Sequence, residues 1–193
     1  MTNTNVTTGK VRLSFVNLFE PKEPINGGTP KYSTTILIPK SDTATKERLD
    51  NAIKAAAELA KDSKWGGTIP PQYRTPIHDG DGGRPSDGEP YGDECKGHWV
   101  ITASAGQDFR PQVVDQALNP ILDKSEVYSG CYARVNLNFY AYGGGSTGFA
   151  KGVGVGLGPV QKIADGEALG GGAVKAEDVF KAVEVDPITG EPI

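Results

Sequence analysis

The side chains best suited to bind something lie in residues 127–142. The run Val-Tyr-Ser-Gly-Cys-Tyr-Ala-Arg-Val-Asn-Leu-Asn-Phe-Tyr-Ala-Tyr alternates with a period of two. Val127, Cys131, Ala133, Val135, Leu137, Phe139 and Ala141 fall on one side. Tyr128, Tyr132, Arg134, Asn136, Asn138, Tyr140 and Tyr142 fall on the other. Successive side chains of a strand point to opposite faces of its sheet. One face is therefore core, and the other carries rings, amides and a cation with no acid. Rings stack on bases, a guanidinium meets phosphate and amides meet sugar or base edges, as unpaired nucleic acid requires. An ordinary solvent face is the competing reading, because tyrosine is a good strand former.

Further candidates stand on or beside other expected strands. Lys10, Arg12, Arg74, Arg110, Arg134 and Lys151 are candidate phosphate contacts. Tyr132, Tyr140 and Tyr142 are candidate stacking rings, joined by Trp99 and Phe149, which also suit a core. Gly152, Gly154, Gly156 and Gly158 alternate with Val153, Val155 and Leu157. This is no dinucleotide fingerprint, since Leu157 or Pro159 occupies the place of the third glycine. A strand with one bare face means close approach of something: a bend, a neighbouring element, or a base.

Cys95 and His98 have Cys-x-x-His spacing, and with His78 and Cys131 they are the only cysteines and histidines. A zinc half-site is one reading. Against it, Cys131 falls on the core side, where a free thiol packs as a small apolar group. Asp79 and Asp81 lack the later ligands of a calcium loop, since Gly83 and Pro90 stand in those places. No spacing selects a nucleophile, a metal-binding histidine pair or a carboxylate pair, so neither an enzyme nor a metal or other cofactor is expected.

These residues need elements to position them. Residues 9–19 read as a strand with Val11, Leu13 and Phe15 alternating against Lys10, Arg12 and Ser14. A Pro- and Gly-rich turn follows, then a strand over 31–38 that Pro39 ends. Residues 43–64 form one long helix with Leu49, Ala52, Ile53, Ala56 and Ala60 at helical spacing, after the possible caps Ser41, Asp42 and Thr43. Gly66 and Gly67 stop it. Residues 66–97 are an irregular Gly/Pro/Asp-rich insert with a short strand near 73–77. Strands follow at 98–104, 110–114 and 127–142, and 149–157 pairs back on the last of these. Residues 176–183 carry a helical pattern.

The sum is mainly β with one long helix: an OB-fold-like five-stranded barrel with extra strands and the long insert, or alternatively a β-sandwich. Residues 1–172 make a single domain, and 173–193 are an acidic, flexible tail. Of the net charge of −4, the last 21 residues carry five acids against Lys175 and Lys181, or −3, leaving −1 for the body. That near-neutral body argues against simple binding to duplex DNA. It leaves room for a binder that relies on stacking. No apolar run approaches the roughly 20 residues that span a bilayer. The start lacks a secretory signal.

The run 128–142, the glycine alternation with Pro159-Val160-Gln161-Lys162, and the opening Gly-Lys-Val-Arg-Leu-Ser-Phe-Val-Asn-Leu-Phe together resemble a family of tailed-bacteriophage proteins. Its members are single-stranded-DNA-binding proteins with an oligonucleotide-binding fold. The resemblance covers most of 9–170. It implies coating of exposed single strands in phage replication, recombination or repair, in the cytoplasm of the infected bacterial host. It also implies that the acidic tail recruits phage or host replication proteins, although the tail ends in Ile193 where some such proteins have an aromatic residue. A homo-oligomer is compatible with this reading. The alternatives are a phage structural or assembly protein and a small metal-dependent nuclease.

Overall fold

In the computed structural model, residues 3–24, 27–145 and 150–170 are described. Phe149, the tail 173–193 and the helix expected at 176–183 lie outside the described residues. The elements are β1 (Asn5–Thr7), β2 (Val11–Lys22), β3 (Lys31–Pro39), α1 (Thr43–Ser63), β4 (Ile77–Asp79), β5 (His98–Gly106), β6 (Val113–Val114), β7 (Tyr132–Tyr142) and β8 (Gly152–Ala164). Short 3-10 turns stand at Asp93–Cys95 and Lys124–Glu126.

Five strands close on themselves. β2 pairs with β3, β3 with β5, β8 with β7 and β7 with β2, all antiparallel, while β5 and β8 run parallel. This is a five-stranded closed sheet with Greek-key connections, the oligonucleotide-binding arrangement expected from the sequence, and it replaces the sandwich alternative. Closure removes the sheet edges that two open sheets would leave. β1 adds to β7, β4 to β5 and β6 to β8.

Alternation builds the core. Leu13, Ile36, Ile101, Val135 and Leu137 are fully buried, as are Leu18 and Phe139 to within 2%. α1 closes over this core, packing against β7, β1 and β8. Asp42 caps it by accepting the Thr45 N–H at 3.0 Å. Burying Leu49 and Ile53 contributes about 1.5–3 kcal/mol each. At the other end the Trp65 indole donates to the Tyr142 carbonyl (3.2 Å) and Lys64 Nζ to that of Ala141 (3.1 Å). The helix exit is thereby pinned to the end of β7.

Several boundaries differ from expectation for identifiable reasons. The strand expected over 127–142 begins only at Tyr132, because Gly130 at φ 118° makes a turn before it. The strand expected at 110–114 shrinks to Val113–Val114, since Pro111 interrupts the backbone donors. The short strand near 73–77 is instead Ile77–Asp79, with one bridge from Arg74 to Gly152. β8 runs on to Ala164, because a bulge opposite Asn136 accommodates Pro159 within the ladder. Phe15 had the parity of the core, but a register shift between Ser14 and Asn17 turns it out to 70% exposure while Ser14 is buried.

Candidate nucleic-acid interface

The even-numbered residues of β7 face away from the core, as the alternation required. Tyr140 pairs with Gly154 and Tyr142 with Gly152 across the ladder. A Cβ on Gly152 would stand 2.5 Å from Tyr142 Cζ and Oη, and one on Gly154 2.9 Å from Tyr140 Cζ. Each ring leans over bare backbone and still exposes 50% (Tyr140) or 36% (Tyr142) of its residue surface. The close approach that the glycine alternation demanded is thus made by tyrosines of the neighbouring strand. Gly158 is used likewise, with Asn136 Oδ1 2.7 Å from its Cβ position. Two residues along a strand span about 7 Å. That is twice the roughly 3.4 Å per nucleotide of one strand of B-DNA, so an extended strand matches the two rings better than a helical one.

The middle of the face is polar. Asn136 Nδ2 donates to Asn5 Oδ1 (2.7 Å) and Thr7 Oγ1 (3.0 Å), and Thr4 Oγ1 donates to Asn138 Oδ1 (3.3 Å). The Asn136 amide is therefore engaged in holding β1, while Asn138 stays exposed. Tyr132 is not an open platform. Lys10 Nζ lies 4.6 Å and Arg12 Cζ 5.9 Å from its ring centroid, and its ring edge lies 2.8 Å from the Cβ position of Gly166.

The cations around this face bond to carbonyls rather than carboxylates. Arg12 donates to Gly130 O (3.2 Å) and Glu167 O (2.6 Å), Arg134 to Thr8 O (3.3 Å) and Lys151 to Trp65 O (2.7 Å). Arg74 lies beside Gly152, its backbone bonded to Lys151 and Val153. None of the seven ion pairs among the described residues uses Lys10, Arg12, Lys64, Arg74, Arg134 or Lys151. Among the described residues none of these cations is spent on a carboxylate, which suits a polyanion.

Two candidates lie elsewhere. Trp99 packs on the core with Lys40 and Lys46 ammonium groups 4.9 and 4.7 Å from its ring. Arg110 stacks over Phe19, on the part of β2 beyond its pairing with β7. The candidate zinc residues do not gather as a set, although His78 and Cys95 line one groove. Cys131 is in the main core, Cys95 packs with Leu37 and Val100, and His98 Nδ1 is 2.7 Å from Lys96 O. Among the described residues no three His, Cys, Asp or Glu side chains gather into a metal-holding group.

A second surface went unremarked in the sequence. A groove of about 490 Å³ runs between the outer face of β2, β3 and β5 and the insert, lined by Phe15, Thr35, Thr102, His78, Arg84 and Tyr91 among others. Phe15 sits there at φ 48°, a rare conformation for an aromatic residue. Only the register shift in β2 reveals it, and alternation alone pointed the other way. Burial pushes the His78 imidazole below its ordinary value and the Cys95 thiol up to about 11. The groove lining carries one acid, Glu94, and one cation, Arg84, which pairs with Asp87; the nearby Asp79 and Asp81 of the insert both bind Lys40 Nζ at 2.6 Å.

A closed five-stranded ring of this connectivity, with rings and carbonyl-bonded cations on one outer face, defines an oligonucleotide-binding-fold protein. The chain belongs to the family of the Enterobacter phage Enc34 ssDNA-binding protein, whose profile matches residues 4–188. The structure of the single-stranded DNA-binding protein from bacteriophage Enc34 in complex with ssDNA is similar at TM-score 0.71 and 28% identity, over 86% of this chain and 90% of that one. Another structure of the single-stranded DNA-binding protein from bacteriophage Enc34 gives TM-score 0.69 and 27% identity, over 92% of this chain and 90% of that one. Protein p50 of Acyrthosiphon pisum secondary endosymbiont phage 1 is 32% identical over 179 residues, 91% of each chain. Bacteriophage T7 gp2.5, a single-stranded DNA-binding protein, shares the fold at TM-score 0.59 and 16% identity, over 92% of this chain and 94% of that one. No helix among the described residues is long and apolar enough to cross a membrane.

Proposed function

We propose that this chain coats single-stranded DNA during phage replication, recombination or repair, in the cytoplasm of the infected bacterium, and does no chemistry on it. The observation that carries this reading is the pair Tyr140 and Tyr142 leaning over Gly154 and Gly152, flanked by cations that form no ion pair among the described residues. The Enc34 protein supports it as a single-stranded-DNA-binding relative. Bases would stack on Tyr140 and Tyr142, and Asn138 would meet sugar or base. Lys10, Arg12 and Arg134 would meet phosphates toward the start of β7, with Lys151 and Arg74 toward its end. Tyr132 serves as a seat for Lys10 more than as a ring for stacking, and Asn136 as the brace of β1. Trp99 and Arg110 are left out of the site. Residues 1–172 form the binding domain, with 173–193 as a tail that recruits partners.

Fluorescence anisotropy with labelled oligo-dT tests the reading. Binding at low salt that weakens as salt rises is expected; no binding at low salt would reject it. The oligonucleotide should stay intact with Mg²⁺ or Mn²⁺.

Phe15 favours a second path, over the groove between β2, β3 and β5, the face that oligonucleotide-binding barrels use most. An exposed ring in a strained backbone is a reasonable functional mark. Comparing Phe15→Ala with Tyr140→Ala decides between the two paths: the variant with the larger loss of affinity marks the strand's route.

A further inference from the structure

Beside Tyr140 the surface opens into a cleft of about 240 Å³ between the end of β7 and the last turns of α1. Its origin is local. β1 pairs with β7 only as far as Asn138, so β7 runs on past the end of its neighbour. The helix faces this stretch with small side chains, Ala56 and Ala60, four residues apart and therefore on one stripe. Among the described residues no large side chain fills the space between them and the strand. Leu59 stands at the wall with 57% of its surface exposed, a large apolar side chain with solvent over it.

The chemistry of the walls is mixed in a specific way. The helix supplies apolar surface through Ala56, Leu59 and Ala60. Tyr140 forms the lip, so the cleft is continuous with the tyrosine face. Polar groups stand at the edges: Asn138, Thr4, Ser63 and the Lys64 ammonium, which bonds to Ala141 O. Phe139 N–H and Ala141 O are bonded toward β1 and the helix exit. By the alternation of an antiparallel strand, the Ala141 N–H points the same way, into the cleft. A flat apolar body with hydrogen-bonding groups on its rim matches that lining, and a cation nearby matches the phosphate attached to it. The volume falls below the roughly 300–1,000 Å³ of a drug-sized ligand site, so it suits one ring system.

Building on the proposed DNA-binding role, we infer that this cleft takes one nucleobase out of the bound strand, held between Leu59 of α1 and the edge of β7 at Asn138–Ala141 while its neighbours lie over the tyrosine face. One base per protein is then gripped on both sides rather than on one. The site thus gains a dependence on base, in a protein otherwise holding backbone and stacked rings.

The test uses the full chain and two ligands of equal length, oligo-dT and the same backbone with abasic residues throughout. Leu59→Gln removes the apolar wall without adding charge, and Ser63→Tyr fills the cleft from the exposed face of the helix. Both keep helix-compatible residues at surface positions, and thermal unfolding confirms the fold. Each variant is expected to lose about tenfold in affinity for oligo-dT, within the range of one stacked base. Neither should change on the abasic strand. Unchanged binding of oligo-dT by both variants, or equal losses on the two ligands, would overturn the inference. Failure of the underlying reading looks different, because the unaltered protein would then bind neither strand.

Discussion

The Tyr142 ring occupies the space that a side chain on Gly152 would need, with Cζ and Oη each 2.5 Å from the Cβ position. The two residues face each other across the β7–β8 ladder. A methyl group there must tip the ring out, which the free end of a tyrosine allows at modest cost. Gly152→Ala should therefore shift stability by less than about 1 kcal/mol, the backbone gain of alanine offsetting the displaced ring. It should nevertheless lower oligo-dT affinity, because the ring no longer lies over the strand. In a Tyr142→Ala background the same substitution should do nothing to affinity. A double-mutant cycle measured by anisotropy gives the coupling, and additive effects would show that the glycine and the ring act separately.

Tyr140→Ala and Tyr142→Ala should each weaken oligo-dT binding by about 1–3 kcal/mol, the value of one base stacked on an aromatic ring. Tyr132→Ala should weaken it less, since Lys10 already covers that ring. Arg134→Ala should act through charge. The plot of log affinity against log salt should flatten by about 0.7, the contribution of one phosphate contact on a single strand. A salt slope equal to that of the unaltered protein removes Arg134 from the interface.

Arg12 has a structural task besides any phosphate it meets. Its guanidinium holds the carbonyls of Gly130 and Glu167, tying the segment after β8 to the turn before β7. Hydrogen bonds from charged groups contribute about 1.5–3 kcal/mol. Arg12→Ala should lower unfolding free energy by about 2 kcal/mol in urea and speed hydrogen exchange in 165–170. Lys10→Ala should leave both unchanged.

Both cysteines are buried, and burial raises both thiols, that of Cys95 to about 11. Thiolate is the reactive form. A thiol reagent at neutral pH should find neither residue in the folded protein and both after denaturation. Rapid reaction of Cys95 in the native state would mean that the insert opens over it.

Much of this architecture was legible in the chain because one physical rule dominates it. Alternation named the core side of β7 correctly, and every inward residue from Ala133 to Ala141 is buried. Helical spacing and the Asp42 cap placed α1 to within a residue. The glycines of β8 announced a close approach, but not by what. Pairing register supplies that answer, and register depends on contacts between distant segments. Phe15 shows the same limit more sharply. One register shift reverses its parity, and nothing local in Leu-Ser-Phe-Val marks the shift. Trp99 illustrates the converse: an aromatic on a strand looks alike in sequence whether it meets DNA or, as here, two lysines and the core.

The insert is held to the barrel by Lys40, whose ammonium bonds Asp79 Oδ1 and Asp81 Oδ2 at 2.6 Å each. Asp81 also accepts the Gly97 N–H through its other oxygen, closing the loop on itself. The Lys40 hydrogen bonds are the largest influence on both carboxyls, holding them below the ordinary 3.8, and the same bonds raise Lys40 above 10.5. The sign for the acids follows from the lowered folded values. Their contribution is complete above 3.8 and is lost as pH falls through those lower values. For Lys40 the contribution is complete below 10.5 and is lost as pH rises through its raised value. The clasp should therefore be intact and pH-independent throughout the neutral range, and limited proteolysis of 79–97 should run at one slow rate there. Lys40→Met removes both bonds together and leaves two carboxylates side by side. It should speed cleavage within the insert several-fold at neutral pH while the barrel strands stay protected. Cleavage at the unaltered rate would mean that the backbone pairing of β4 with β5, and not the lysine, keeps the groove wall in place.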